Sequence, residues 1–287
     1  RIDLTFTGGW KDATQVAFYG IGMAPLPTLR PSAKEDAHGR ADFRLQTAWA
    51  GGDVAFRPEG LLRLSGGAAF EHYSQSERRG SVHPSIEEQY PASLVPGLGE
   101  DHAYIHLQGT AGIDWRPSAG YARRGGNLGG EITRFSARAG APYSFTRIDV
   151  QGSQLIPLRH EQWVIALNGF ASFTATSDDQ VIPYFLMPAL GEDSTEMRGF
   201  TSRRFRDRNR MQFTAEYRWM PVEFLDMAVF VDAGTVAASH HDLALGELKT
   251  STGLGLRVHT SRETLLRFEV ARSRDGLRLI LATGAAF

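Results

Sequence analysis

The sequence predicts an all-β fold, an antiparallel transmembrane β-barrel, and three observations predict it. Apolar and polar residues alternate with period two over segments long enough to cross a bilayer at a tilt, about 9–11 residues each. Glycine, 31 residues in all, is scattered through those same segments, where each copy would cost about 1 kcal/mol inside a helix. Charged residues recur at the centres of the faces opposite the apolar ones, which is expensive in a dry sandwich core and ordinary in a polar lumen. No run of about 18 uncharged apolar residues occurs, so no transmembrane helix is expected.

Composition narrows the function classes. The chain has 287 residues, 42% of them hydrophobic, with 31 basic against 32 acidic side chains. Near-neutral charge gives no reason to expect a nucleic-acid partner. The absence of cysteine removes disulfides, thiolate metal sites and cysteine nucleophiles, and is compatible with an envelope location. Arg1 opens directly in an alternating segment, with no initiator methionine or apolar signal core, so the chain reads as a mature or truncated product.

Taken in order, alternation and turn signals predict about thirteen strands, near 2–8, 14–22, 40–56, 60–74, 102–116, 127–139, 143–156, 162–176, 208–220, 223–234, 248–259, 263–273 and 276–287. In 211–219, Met211, Phe213, Ala215, Tyr217 and Trp219 share one face, while Gln212, Thr214, Glu216 and Arg218 share the other. The strands near 162–176, 252–259 and 264–270 repeat the pattern, with Arg257, His259, Arg267 and Glu269 on inner faces. Trp10, Trp49, Trp115, Trp163 and Trp219 fall near predicted strand ends, as interfacial girdles require. Short connections at Pro58-Glu59-Gly60, Met220-Pro221 and Ser261-Arg262 read as periplasmic turns, and long polar ones at 23–39, 76–101, 177–207 and 235–247 as extracellular loops. Pro25, Pro27, Pro31, Pro84, Pro91 and Pro96 all lie in those loops, where no ladder hydrogen bond is lost.

Thirteen strands are an odd number. With Phe287 at the periplasmic side, counting back places the start of the first strand outside, whereas a complete bacterial barrel has both ends inside and an even count. Either one of the predicted strands is wrong or the barrel's N-terminal strands are missing. The abrupt start at Arg1 in an alternating segment favours the second, so the expectation is one barrel domain over 1–287 that lacks its first strands and any periplasmic domain.

The loop 177–207 carries Met197-Arg198-Gly199-Phe200 and then the basic run from Arg203 to Arg210. The following strand holds Glu216, and the next holds Phe230-Val231-Asp232-Ala233-Gly234. In these motifs the chain resembles the C-terminal surface-antigen barrel of the BamA/TamA superfamily of outer-membrane insertases and translocases. That family has an Arg-Gly-Phe/Tyr motif in its sixth extracellular loop, a Phe-x-Asp-x-Gly strand two strands on, and five strands after the loop, as here. Phe18-Tyr19-Gly20-Ile21-Gly22 is a looser match, since Met23-Ala24-Pro25 departs from the family's continuation. The resemblance implies a sixteen-stranded barrel in the outer membrane of a bacterial cell, with the first strand here as its fourth. It implies insertion, assembly or translocation of proteins without cofactor or catalysis. It also implies a last strand that pairs poorly with the first, so that the seam templates incoming strands.

The residues give a physical reading beside that resemblance. Alternation places Glu216 in the lumen, and Phe230, Asp232 and Gly234 on one inward face, because Val229, Val231 and Ala233 suit lipid. Two inward carboxylates on neighbouring strands need a cation. Arg198 is the candidate if its loop folds inside, because a guanidinium fork can bond a carboxylate twice. Gly199 is expected to permit a tight loop tip and Phe200 to pack on the inner wall. The last strand is expected to run from Leu277 to Phe287, with Gly284 permitting a bend and Phe287 as the closing aromatic.

Other chemistry has little support. No Gly-x-Ser-x-Gly elbow is present, and His240-His241 lacks metal-ligand spacing. Gly125 to Gly130 has neither the Lys-Ser/Thr nor the helix of a phosphate loop. The basic run 203–210 reads best as a solvated loop, with lipopolysaccharide phosphates as the next alternative. Expected partners are outer-membrane lipid and lipopolysaccharide, client outer-membrane proteins, and periplasmic POTRA modules or accessory lipoproteins. The alternatives are a passive pore or adhesion barrel, or the anchor of an upstream hydrolase domain.

Overall fold

A computed structural model describes residues 1–24, 26–28, 39–58, 60–77, 82–159, 161–191 and 196–287. Twelve strands form one antiparallel sheet in chain order: β1 (Ile2–Phe18), β2 (Ala41–Phe56), β3 (Leu62–Glu77), β4 (His102–Asp114), β5 (Gly125–Ala137), β6 (Phe145–Arg159), β7 (Trp163–Ala175), β10 (Asn209–Val222), β11 (Leu225–Ala237), β12 (Lys249–His259), β13 (Thr264–Ser273) and β14 (Gly276–Ala282). β8 (Ala189–Leu190) and β9 (Phe205–Arg206) pair with each other inside the long loop between β7 and β10. A short helix, α1 (Ile86–Gln89), sits in the β3–β4 loop, capped reciprocally by Ser85 and Glu88. The all-β, antiparallel fold is as expected; β1 and β14 are the two edges of the sheet.

The outer face carries a continuous apolar band. Leu277, Leu279 and Leu281 of β14 are 66–70% exposed, and Val229, Val231, Leu254 and Phe268 are also open. Such continuous apolar exposure is unfavourable in water and natural against hydrocarbon. The inner face carries the charge, with Asp232, Glu216, Arg257, Arg267 and Glu269 all buried. Beneath the long loops, two aromatic clusters fill the inside, one around Phe18, Phe43, Tyr90 and Tyr184, the other around Tyr104, Phe135 and Phe145.

Several expectations need correction. The first two predicted strands are one, Ile2–Phe18, paired continuously with β2 except for a bulge between Ala13 and Val16. Gly8-Gly9 imitates a turn in the sequence, but a Cβ at Gly9 would lie 2.6 Å from the Trp49 ring, so the glycine there makes room within a strand. Among the described residues, twelve spanning strands then replace thirteen. The odd count, and the inference drawn from it about the start of the first strand, fall with it. Trp10 and Trp49 lie in the middle of β1 and β2, not at strand ends. Trp163 and Trp219 do form a girdle with Tyr217, with ring centroids 5.6–6.4 Å apart. Met220-Pro221 belongs to β10, and the turn is Glu223-Phe224. Pro25, Pro31 and Glu59 lie outside the described residues.

The C-terminal end differs most. β14 stops at Ala282, so neither Gly284 nor Phe287 belongs to a closing strand. Gly284 takes a left-handed conformation (φ 80°), which ends the regular strand, and its N–H donates to the Thr264 carbonyl at 3.2 Å. Phe287 turns inward onto Leu155, Val164 and Ala166, where the Arg218 guanidinium stands 4.7 Å from its ring centroid.

Candidate functional site

Strand register builds the site. β10, β11, β12 and β13 lie side by side, with Thr214 opposite Asp232, Glu216 opposite Phe230, and Asp232 opposite Ser251. Further along, Asp226 faces Arg257, Gly255 faces Glu269, and Arg257 faces Arg267. Because alternate side chains share a face, these residues form one inward layer.

Into this layer the β7–β10 loop delivers Arg198, 1% exposed. Its Nη2 and Nε donate to the two oxygens of Asp232 at 2.7 and 3.1 Å, and its backbone N–H donates to Asp232 at 3.0 Å. Its Nη1 donates to Glu216 at 2.7 Å and to Glu269 at 3.1 Å. Asp232 also accepts from Thr214 and Ser251, so neither of its oxygens lacks a donor. The planar guanidinium lies 3.3 Å from the Phe230 ring centroid, a cation–π contact strengthened by desolvation. A fork, a backbone donor and a stacking face together make this arginine's position specific in a way an ammonium could not match.

The neighbours of Arg198 explain its motif. A Cβ on Gly199 would approach Ser251 Cβ to 2.5 Å and Ser273 Cβ to 3.0 Å. Gly199 N–H donates to Ser251 Oγ at 3.2 Å, and its carbonyl accepts from Ser273 Oγ at 2.6 Å. The glycine therefore serves close approach of the loop to the wall rather than a tight tip. Among the described residues of this loop, the left-handed ones are Gly191, Met197 and Arg203. Phe200 packs edge-on to Phe205 at 5.4 Å, in a cluster of the loop's own Leu190 and Met197 with Val236 of the wall. Gly234 leaves room for that cluster, since a Cβ there would meet Leu190 at 3.0 Å and Met197 at 3.1 Å.

The site is larger than the motif. Arg257 donates to both oxygens of Glu216, each at 2.8 Å, and to Glu269 at 3.0 Å. Arg218 donates to Glu216 at 2.6 Å, and Arg267 to Glu269 at 3.3 Å. Four guanidinium groups (Arg198, Arg218, Arg257, Arg267) thus meet three carboxylates (Asp232, Glu216, Glu269). Arg257 and Arg267 stand directly opposite each other, a repulsive pairing in a sheet that Glu269 bridges. Glu269, Arg257, Arg218 and Arg267 were legible as inward residues; their connection to Arg198 was not.

The basic run is not a solvated loop. Arg206 is 2% exposed, donates to the Tyr184 carbonyl at 2.9 Å and stands 5.4 Å from the Phe18 ring centroid. Arg210 donates to the Ala189 carbonyl and to Glu196 and stacks over Phe170. Arg204 pairs with Asp275 at 3.0 Å. Burying guanidinium groups demands such partners, and the loop obtains them by folding inward. Among the described residues, no group of three or more His, Asp or Glu is placed to hold a metal.

An antiparallel sheet with an apolar outer face, a charged inner face and a long loop tethered inside defines the class of bacterial outer-membrane β-barrels. Residues 35–275 match the Omp85 superfamily domain, and the chain belongs to that superfamily, in line with the resemblance carried by Arg198-Gly199-Phe200 and the downstream Asp232. No curated protein matches. Among solved structures, the chain is similar to BamA from Haemophilus ducreyi lacking POTRA domains 1–3, with a TM-score of 0.65 and 15% identity over 88% of this chain and 56% of that one. It is also similar to CdiB from Acinetobacter baumannii, with a TM-score of 0.57 and 13% identity over 98% of this chain and 47% of that one. At such identities the likeness is one of fold. The chain spans about half the length of each of these structures.

Proposed function

We propose that this chain is the membrane domain of a non-enzymatic outer-membrane machine that assists insertion, assembly or translocation of proteins. The observation that carries the reading is Arg198, which tethers the β7–β10 loop to Asp232, Glu216 and Glu269 within the lumen. A loop held inside by buried ion pairs suits a plugged machine better than a passive pore, which gains nothing from such a tether. The machine works without nucleotide, metal or cofactor, and takes its energy from client folding, since strand pairing and lipid burial are favourable once the client reaches the bilayer. Its partners are client outer-membrane proteins, lipid and lipopolysaccharide at the rims, and periplasmic POTRA modules or accessory lipoproteins.

The test is reconstitution of the full-length protein in liposomes with an unfolded outer-membrane barrel as client, read by the client's heat-modifiable gel mobility. The expected result is client folding at least about tenfold faster than in empty liposomes, a gain of roughly 1.4 kcal/mol in the barrier. Unchanged client folding, together with a large steady conductance in planar bilayers, would overturn the proposal in favour of a pore.

A further inference from the structure

The β4–β5 connection, residues 115–124, is anomalous. The other connections at its rim, 57–61, 160–162, 223–224 and 260–263, run from two to five residues, and this one has ten. A turn between adjacent strands has no need of such length unless it goes elsewhere, and this one crosses to the far wall. Its Gly120 carbonyl accepts from Thr264 N–H at 3.1 Å, and Ser118 Oγ donates to the Arg262 carbonyl at 3.0 Å. Tyr121 lies flat on His259, with ring centroids 4.0 Å apart and 14° between the planes. His259 Nδ1 lies 3.0 Å from the Thr260 carbonyl, which can only accept, and Nε2 lies 3.2 Å from the Tyr121 hydroxyl. Burial pushes that phenol up to about 12, so it remains a donor at physiological pH.

The crossing is fastened by Arg123, 7% exposed. Its guanidinium pairs with Asp226 on the inner face of β11, and donates to the Glu161 carbonyl, the Gln162 carbonyl at 2.9 Å and the Tyr121 hydroxyl at 3.1 Å. Between these anchors Ala122 rests on the inner-wall cluster of Leu155, Val164 and Ala166, beside Phe287. One segment therefore joins the β6–β7 wall to the β11–β13 wall across the interior.

We propose that residues 115–124 are a strap that closes the short-turn, periplasmic mouth of the lumen, latched by Arg123 on Asp226. Opening the latch exposes the Phe287 pocket and the lower end of the charged layer at Arg218. The proposal rests on the barrel alone and holds whether the cargo is protein or another polymer.

The test uses the full-length protein in liposomes, with any cysteine outside these 287 residues replaced by serine and Ser153→Cys as a reporter; residues 1–287 themselves contain no cysteine. Ser153 is 6% exposed, lies on the inner face of β6 one inward position from Leu155, and is nearly isosteric with cysteine. The probe is a membrane-impermeant maleimide supplied to the periplasmic side. Removing one partner of a buried ion pair favours local opening, so Arg123→Ala is expected to speed labelling at least about tenfold. A short bifunctional thiol linker between Ser118→Cys and Arg262→Cys, applied before the reporter is unmasked by reducing a protecting disulfide, is expected to slow labelling below the parent rate. Equal labelling of parent and Arg123→Ala overturns the proposal. If Arg123→Ala does not fold, the linked and unlinked forms decide, and equal rates for those two overturn it. Client folding is scored separately, so failure of the strap and failure of the assembly role are distinguishable.

Discussion

At the scale of single residues, Arg198 concentrates the energetics. Its carboxylate partners are buried, so Arg198→Ala leaves Asp232, Glu216 and Glu269 short of a cation, at a cost of about 3–5 kcal/mol. Arg198→Lys keeps the charge and loses the fork and the stacking on Phe230, and is expected to fall between parent and alanine. Gel-mobility midpoints on heating give the order. If Arg198→Ala matched the parent, the tether would be irrelevant to stability. Gly199→Ala is expected to cost about 1–3 kcal/mol by overpacking against Ser251, with the thermal midpoint as its readout. Asp207 makes the opposite case. Burial raises its carboxyl above the ordinary value, against the backbone N–H of Arg208, which lowers it. A carboxyl with a folded pKa above its unfolded one contributes stability at low pH and loses it as pH rises through the folded value. Asp207→Asn is therefore expected to stabilise the protein at neutral pH, with the gain vanishing on acidification. A gain that grew toward acid pH would contradict this assignment.

At the scale of elements, the charged strands declare themselves along the chain and the C-terminal end does not. Strand 209–222 was legible almost to its boundary, because an inward Gln212, Thr214, Glu216 and Arg218 against an outward Phe213, Ala215 and Tyr217 depends only on the two-residue pleat. The end of β14 was misread because Thr283, Ala285 and Phe287 keep the same alternation after the strand has stopped. Only the left-handed Gly284 diverts them. Phe287 then exchanges a place in the wall for the face of Arg218, whose Nη2 has no hydrogen-bond partner among the described residues. A double-mutant cycle of Phe287→Ala with Arg218→Met, read from thermal midpoints, is expected to give a coupling of about 0.5–2 kcal/mol. Zero coupling would mean that the tail's inward course is independent of Arg218.

At the scale of the whole molecule, the β7–β10 loop ties distant parts together. Arg206 backbone bonds to Gly22 beyond β1, Met23 touches Val236, and Arg204 reaches both Tyr19 and Asp275. The loop therefore spans from the first strand's end to the last hairpin. Arg204→Ala is expected to raise amide exchange at residues 19–23 and 274–276 together, by about tenfold if the pair contributes roughly 1.4 kcal/mol to local closure. Exchange that rose at only one of the two places would show that Arg204 does not couple them.

Reading along the chain reaches the inward face of the alternating strands around the site, the membrane-spanning sheet, and Arg198 as the candidate cation for Glu216 and Asp232. All of this follows from period-two geometry and from the need of buried carboxylates for a cation. Three features are visible only in three dimensions: Glu269, 71 residues from Arg198, completes the tether, the basic run turns inward, and residues 115–124 cross to the opposite wall. These contacts arise where sheet curvature brings remote segments within hydrogen-bond reach, and no local pattern along the chain records that curvature.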